Sequence, residues 1–288
     1  MKRLLAAFAV LCVLSFSSAE AAGKTKVLTV DPVMELLVRF IGGPYVETAS
    51  GWSWGEDGSL TAARSVLMAG SGAELPLIAL NPAEYEEFMI SAHRKGRRSA
   101  LTEAEKKRSG VQYLFTNEQK IDRWEYFYGD PANLPFTAQR IMDVLAALDP
   151  GHYSFYQRRL GEFNARLRSV LISGRGRLKN AEVLCFGGWY IPFFQAWGCR
   201  VSVPDEKELA LAEALVRAEK PKAAAEIAEK LRKGRVVILD SSLDAKKRAA
   251  LEKFAGAVSF IPGRDTDLLF FIHHVVLMTA SQLDQQKK

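Results

Sequence analysis

Between residues 153 and 170 the apolar side chains Tyr153, Tyr156, Leu160, Phe163, Leu167 and Val170 recur at steps of three and four, with arginines and glutamates between them. That spacing puts all six on one side of a helix. The stretch therefore reads as an amphipathic helix of about five turns, where about three is average for a globular domain. Asp149-Pro150 precedes it and closes an earlier helical segment carrying Ile141, Val144, Leu145 and Leu148. The run Ser173-Gly-Arg-Gly-Arg is its expected end.

On both sides of this helix, short apolar runs alternate with helical patterns. KVLTV (26–30) is a strand candidate, and Asp31-Pro32 opens the helix VMELLVRFI. YVET (45–48) follows, then the glycine-rich SGWSWGEDGS, which reads as a loop. PLIAL (76–80) precedes Asn81-Pro82 and the helix AEYEEFMISA, and VQYLF (111–115) is a further strand. After the long helix come EVLCF (182–186), RVSV, RVVILD (235–240) and AVSFI, each followed by a helical pattern, the last spanning 267–282. Strand–helix alternation implies parallel sheets. The expected architecture is α/β: two lobes with mostly parallel sheets flanked by helices, bridged by one long helix. The expected divisions are 1–22, an N-terminal lobe at 23–150, the bridge at 151–176 and a C-terminal lobe at 177–288.

The chain opens MKRLLAAFAVLCVLSFSSAEAA, with two basic residues, an apolar run from Leu4 to Phe16 and small residues after it. This is the pattern of a secretory signal peptide, too short in its apolar part for a membrane span. Cys12 lacks the small residue before it that a lipid anchor requires, so a periplasmic protein without an anchor is expected. Processing lowers the formal charge from +6 to +5. Much of that surplus lies in residues 92–110, a clustered basic run that fits a solvated loop better than a nucleic-acid surface. Cys185 and Cys199 fall at opposite ends of neighbouring parallel strands, too far apart for a disulfide, and are expected as buried thiols.

The stretch GDPANLPFTAQRIMDVLAALDPGHYSFYQRRLGEFNARL, continued by VLCFGGWYIPFFQAWGCRV and the last helix, resembles the solute-binding proteins of zinc- and manganese-type ABC importers, the TroA-like class. The resemblance implies two lobes, a bridging helix, and a metal held by four side chains from four loops at the interlobe cleft. It implies a membrane permease as partner, a small ligand and a monomeric receptor. The histidine of the family's Asp-Pro-His loop falls on Ala132, and the ligand after the first strand of the second lobe falls on Gly187. The first-lobe histidine falls in Trp52–Gly55, which contains none. Asp265 is the surviving candidate, with Asp267 nearby. One oxygen ligand does not make a zinc or manganese site.

The same segments are rich in aromatics: Trp52, Trp54, Trp124, Tyr126, Phe127, Tyr128, Trp189, Tyr190, Phe270 and Phe271. Such rings fill the space of the lost metal shell, or form a face for an organic ligand or metal chelate, or surround a bare metal ion held by an unusual shell. On the second reading Trp52, Trp54, Tyr128, Asp130, Asn133, Gly187, Trp189 and Tyr190 are the ligand-binding candidates. On the first, the cleft is sealed and the fold is an interaction surface. His273 and His274 are adjacent on a helix and point apart; His152 reads as a solvated turn residue. One pattern suggests another class: GWSWG (51–55) matches the G-x-S-x-G nucleophile elbow, with Ser53, Asp240 and His273 in hydrolase order. The glycines and acids after it make a poor start for the helix an elbow needs. A non-enzymatic receptor is the expectation.

Overall fold

The computed structural model describes residues 23–55, 60–62, 75–94, 111–115, 124–240, 243–260 and 267–286. Two four-stranded parallel sheets dominate it. In the first lobe β1 (Thr25–Thr29), β2 (Val46–Ser50), β5 (Leu77–Ala79) and β6 (Val111–Tyr113) lie in the order β2-β1-β5-β6. In the second, β7 (Glu182–Phe186), β8 (Arg200–Ser202), β9 (Val236–Leu239) and β10 (Val258–Ser259) lie in the order β10-β9-β7-β8. Their central strands are buried on both faces, as parallel strands covered by helices must be. Every residue of β9 is buried.

The first-lobe helices are α1 (Pro32–Gly42), α2 (Pro82–Arg94) and α3 (Leu134–Leu148). Asp31 opens α1: its Oδ1 accepts from the Val33 and Met34 amides at 2.6 and 3.3 Å, with Pro32 at the first helical position. The stretch expected as a glycine-rich loop contains a strand instead. β3 (Trp52–Trp54) pairs antiparallel with β4 (Leu60–Ala62). The ladder of the first sheet carries the chain into it, because Trp52 N donates to Val30 O at 2.9 Å.

The bridging helix α4 (Tyr153–Leu178) has 26 residues and rises about 39 Å. It buries Tyr156, Leu160, Phe163, Leu167, Val170, Gly174 and Leu178 along one seam. It ends at Leu178, one residue past the run expected to close it, and holds Gly174 within its buried seam. Packing explains why: a Cβ at Gly174 would lie 2.3 Å from the indole nitrogen of the fully buried Trp197. The glycine that lowers helix propensity is the residue that lets the helix meet the second lobe. Arg175 adds a hydrogen bond to Ala196 O at 3.0 Å.

The second lobe is completed by α5 (Ile191–Ala196), α6 (Glu206–Val216), α7 (Pro221–Arg232), α8 (Ala245–Ala255) and α9 (Leu268–Gln286), with α9 lying against α4. One contiguous core runs from α1 and α3 through α4 to β7, β9 and α9, with a satellite core in each lobe. Cys185 and Cys199 are both free thiols. Burial pushes each up to about 12, so both stay protonated near neutrality. His152 is not a solvated turn residue. It is half-buried, stacked on Tyr45 at 3.7 Å, with Nδ1 2.7 Å from Asp149 Oδ2. Partial burial opposes the Asp149 charge, but hydrogen bonds from Tyr156 and His152 outweigh it and hold the carboxyl below its usual range.

Gly174 and Gly176 separate packing from propensity. Gly174→Ala should lower stability by about 1–3 kcal/mol through overpacking against Trp197. Gly176→Ala, with nothing within 4 Å of its Cβ, should raise it by about 0.5–1 kcal/mol. Urea unfolding midpoints measure both.

Candidate functional site

In open parallel sheets, ligands bind beyond the carboxyl ends of the strands. Those ends carry Asp31 after β1, Asn81 and Glu84 after β5, Gly187-Gly188 after β7, and Asp240 after β9. The loop Tyr128–Asn133 enters α3 beside them.

The first-lobe side is a buried carboxylate pair. Glu84 is fully buried and Asp31 nearly so. Glu84 Oε2 accepts from Leu80 N, while the Tyr128 hydroxyl donates to Oε1 at 3.3 Å. Asn81 Oδ1 caps the start of α2 by accepting from Glu84 N at 2.8 Å. Burial raises Asp31 to about 6, against the opposing amides of Val33 and Met34. Burial and then the Asp31 charge push Glu84 well above the carboxylate range. Both shifts favour the protonated carboxyl, that of Glu84 the more strongly. The sequence hint was Asn81-Pro82 followed by an acid in the first turn; the partnership with Asp31 and Tyr128 crosses elements and was not visible.

On the second-lobe side, Gly187 has φ +114°, and a Cβ built there would lie 2.0–2.2 Å from the Asp240 carboxylate atoms. The Asp240 carboxylate thus stands where a side chain at 187 would begin. Its Oδ2 accepts from Trp189 N at 3.1 Å. The Tyr190 hydroxyl donates to Phe260 O at 3.1 Å. Trp189 packs on Tyr190, Phe193 and Phe271 with centroids 4.6, 6.1 and 6.4 Å apart.

The two sides touch. A Cβ at Gly129 would be 1.8 Å from Trp189 O, so the first-lobe loop lies directly on the second-lobe backbone. Tyr128, Trp189 and Tyr190 retain 1, 9 and 3 % of their exposure and belong to the shared core. Asp130 and Asn133 serve the loop itself: Asp130 Oδ1 accepts from Ala132 N at 2.8 Å, and Asn133 Nδ2 donates to Phe127 O at 3.3 Å. Ala132 is exposed and carries no donor.

Trp52 and Trp54 are half-buried on one face of β3. Trp52 packs on Phe88 at 6.0 Å, and its buried Nε1 has no hydrogen-bond partner among the described residues. Neither tryptophan makes a ring contact with Trp189 among the described residues. The structure therefore brings together Tyr128, Gly187, Trp189 and Tyr190, while Trp52 packs on Phe88.

Asp265 lies outside the described residues, as do the side chains of Trp124 and Tyr126. Asp267 caps α9, its Oδ1 accepting from Leu269 N at 2.8 Å and Phe270 N at 3.1 Å. Among the described residues no group of three or more His, Cys, Asp or Glu side chains could hold a metal ion. Ser53 sits within an antiparallel strand opposite Thr61, not on a strand-to-helix elbow. Asp240 faces Trp189 N, and His273 lines a groove against α4 with Arg166 and Ser169. The hydrolase constellation is not assembled.

Solved structures share this architecture. "Crystal structure of ZnuA" superposes with a TM-score of 0.60 at 13 % identity, covering 90 % of this chain and 99 % of that one. The chain has the TroA-like solute-binding fold. The periplasmic zinc-binding protein TroA from Treponema pallidum gives 0.58 at 16 % identity, covering 91 % and 99 %. The solute-binding protein FpvC from Pseudomonas aeruginosa, in complex with Mn2+, gives 0.56 at 13 %, also covering 91 % and 99 %. No protein-family model matches the chain, and no curated protein matches its sequence. Placed on the TroA-like fold, the carboxylate pair and the aromatic packing both lie at the junction of the lobes.

Two measurements probe this junction. The raised folded value of Asp31 favours the protonated state, so its contribution is fully present below about 3.8 and lost as pH rises through about 6. Asp31→Asn, which keeps the capping oxygen, should flatten that decline. It should be more stable than the parent at pH 8 by on the order of 2–3 kcal/mol, read from urea midpoints between pH 4 and 8. Gly129→Ala should destabilise by about 1–3 kcal/mol and expose tryptophan, read as a red shift in fluorescence.

Proposed function

We propose that this protein is an extracytoplasmic solute-binding protein of the metal-importer class, working with an ABC permease, whose ligand is a metal chelate or small organic molecule and not a bare ion. The observation that carries the ligand class is the junction itself. Where the family resemblance puts a histidine and a histidine or glutamate stand Ala132 and Gly187, and the space beside Gly187 is taken by Asp240. The TroA-like fold supports the receptor class, and the leader-like opening of the chain supports a periplasmic location. On this reading the protein acts alone as a monomer, and ligand enters at the mouth of the cleft by way of Trp52 and Trp54. The buried Trp52 N–H supplies a hydrogen-bond donor for it.

The contact of Gly129 on Trp189 favours a second reading, in which the cleft is sealed and the protein is a non-transporting interaction module.

Native mass spectrometry with metal analysis, on protein taken from its own periplasm, separates them. The proposal expects an added mass of several hundred daltons that Trp52→Ala loses. Added mass equal to one metal ion overturns the ligand class. No added mass, and no rise in melting temperature with any chelate tried, supports the sealed module, because a ligand that binds only the native state must stabilise it.

A further inference from the structure

We infer that the solvent face of α4 is a docking surface for an anionic lipid bilayer. The helix carries six arginines and one glutamate, Glu162, which is held between Arg159 and Arg166. Away from the buried seam, Arg168, Ile172, Arg175 and, just past the helix end, Lys179 follow at steps of four, three and four, which aligns them in one stripe. All four are exposed, Ile172 by 66 %. Arg168, Arg175 and Lys179 form no ion pair among the described residues. No aspartate or glutamate is exposed anywhere on α4. With Leu171 and Gly176, these residues line a shallow groove along the helix.

A stripe of uncompensated positive charge on a rigid rod calls for a negative partner. The apolar content decides which kind. Protein interfaces have apolar centres depleted of charge, whereas this stripe has a single well-exposed apolar side chain set among cations. That combination suits the headgroup layer of a bilayer: the Arg and Lys stems lie along the acyl boundary with their charges at phosphate, and Ile172 inserts. Each basic residue near an anionic surface strengthens partition about fivefold at physiological ionic strength. Three together amount to about a hundredfold. The inference goes beyond the receptor reading and does not depend on what the cleft binds.

Co-sedimentation tests it, using the protein purified from its own cells and vesicles of phosphatidylglycerol or phosphatidylcholine. The expected result is binding to phosphatidylglycerol only, abolished at about 1 M salt, where screening is nearly complete. The triple variant Arg168→Gln, Arg175→Gln, Lys179→Gln should bind about a hundredfold more weakly, and Ile172→Ser severalfold more weakly. Unchanged circular dichroism and melting temperature would show that the variants remain folded. Equal binding to both lipids, no binding to phosphatidylglycerol, or full binding by the folded triple variant overturns the inference. Binding of a polyglutamate peptide without vesicle binding would assign the stripe to an acidic protein segment and overturn it equally.

Discussion

The two lobes cohere because the buried seam of α4 is continuous from Tyr156 to Leu178. Its first half packs on first-lobe residues, including Phe40, whose ring meets Phe163 at 5.5 Å. Its second half meets Trp197 through the gap left by Gly174. A core shared in this way has no plane along which the lobes can separate without exposing apolar surface, at roughly 25 cal/mol for each Å². Motion at the junction is therefore confined to loops and side chains. A hinge that opens the whole cleft would break the main core of the molecule.

The junction of the lobes is filled by backbone, rings and a carboxylate that occupies the space beside Gly187. The polar groups that remain are turned inward: Asp31 caps α1, Glu84 ties Leu80 to Tyr128, and Asp240 accepts from Trp189. Such groups fix backbone geometry.

Much of the architecture was legible in the residues. The period of the α4 seam, the capping pairs Asp31-Pro32 and Asn81-Pro82, and the apolar runs of β1, β5, β7 and β9 are local signals that tertiary packing reinforced. Where packing overrode local preference, the sequence misled. The end of α4 was read to within two residues, but the reason for a glycine at 174 was hidden, because the gain from seating Trp197 comes from another part of the chain. The Trp-Ser-Trp stretch looked like a loop because its glycines hid a strand that needed β4 as partner. His152 looked solvated because Tyr45, its stacking partner, lies far away in sequence. At the junction, the carboxylate pair and the Gly129 contact join residues distant along the chain and could not be read locally.

The Gly187–Asp240 arrangement also limits which neighbouring sequences are open to this chain. A donor side chain at 187 must accept a left-handed backbone that non-glycine residues resist, and must enter space already filled by a carboxylate. Any side chain there requires Asp240 to shrink or withdraw at the same time, and that releases the Trp189 amide from its acceptor. Changed one at a time, either residue gives a less stable intermediate, so positions 187 and 240 can be exchanged only as a pair.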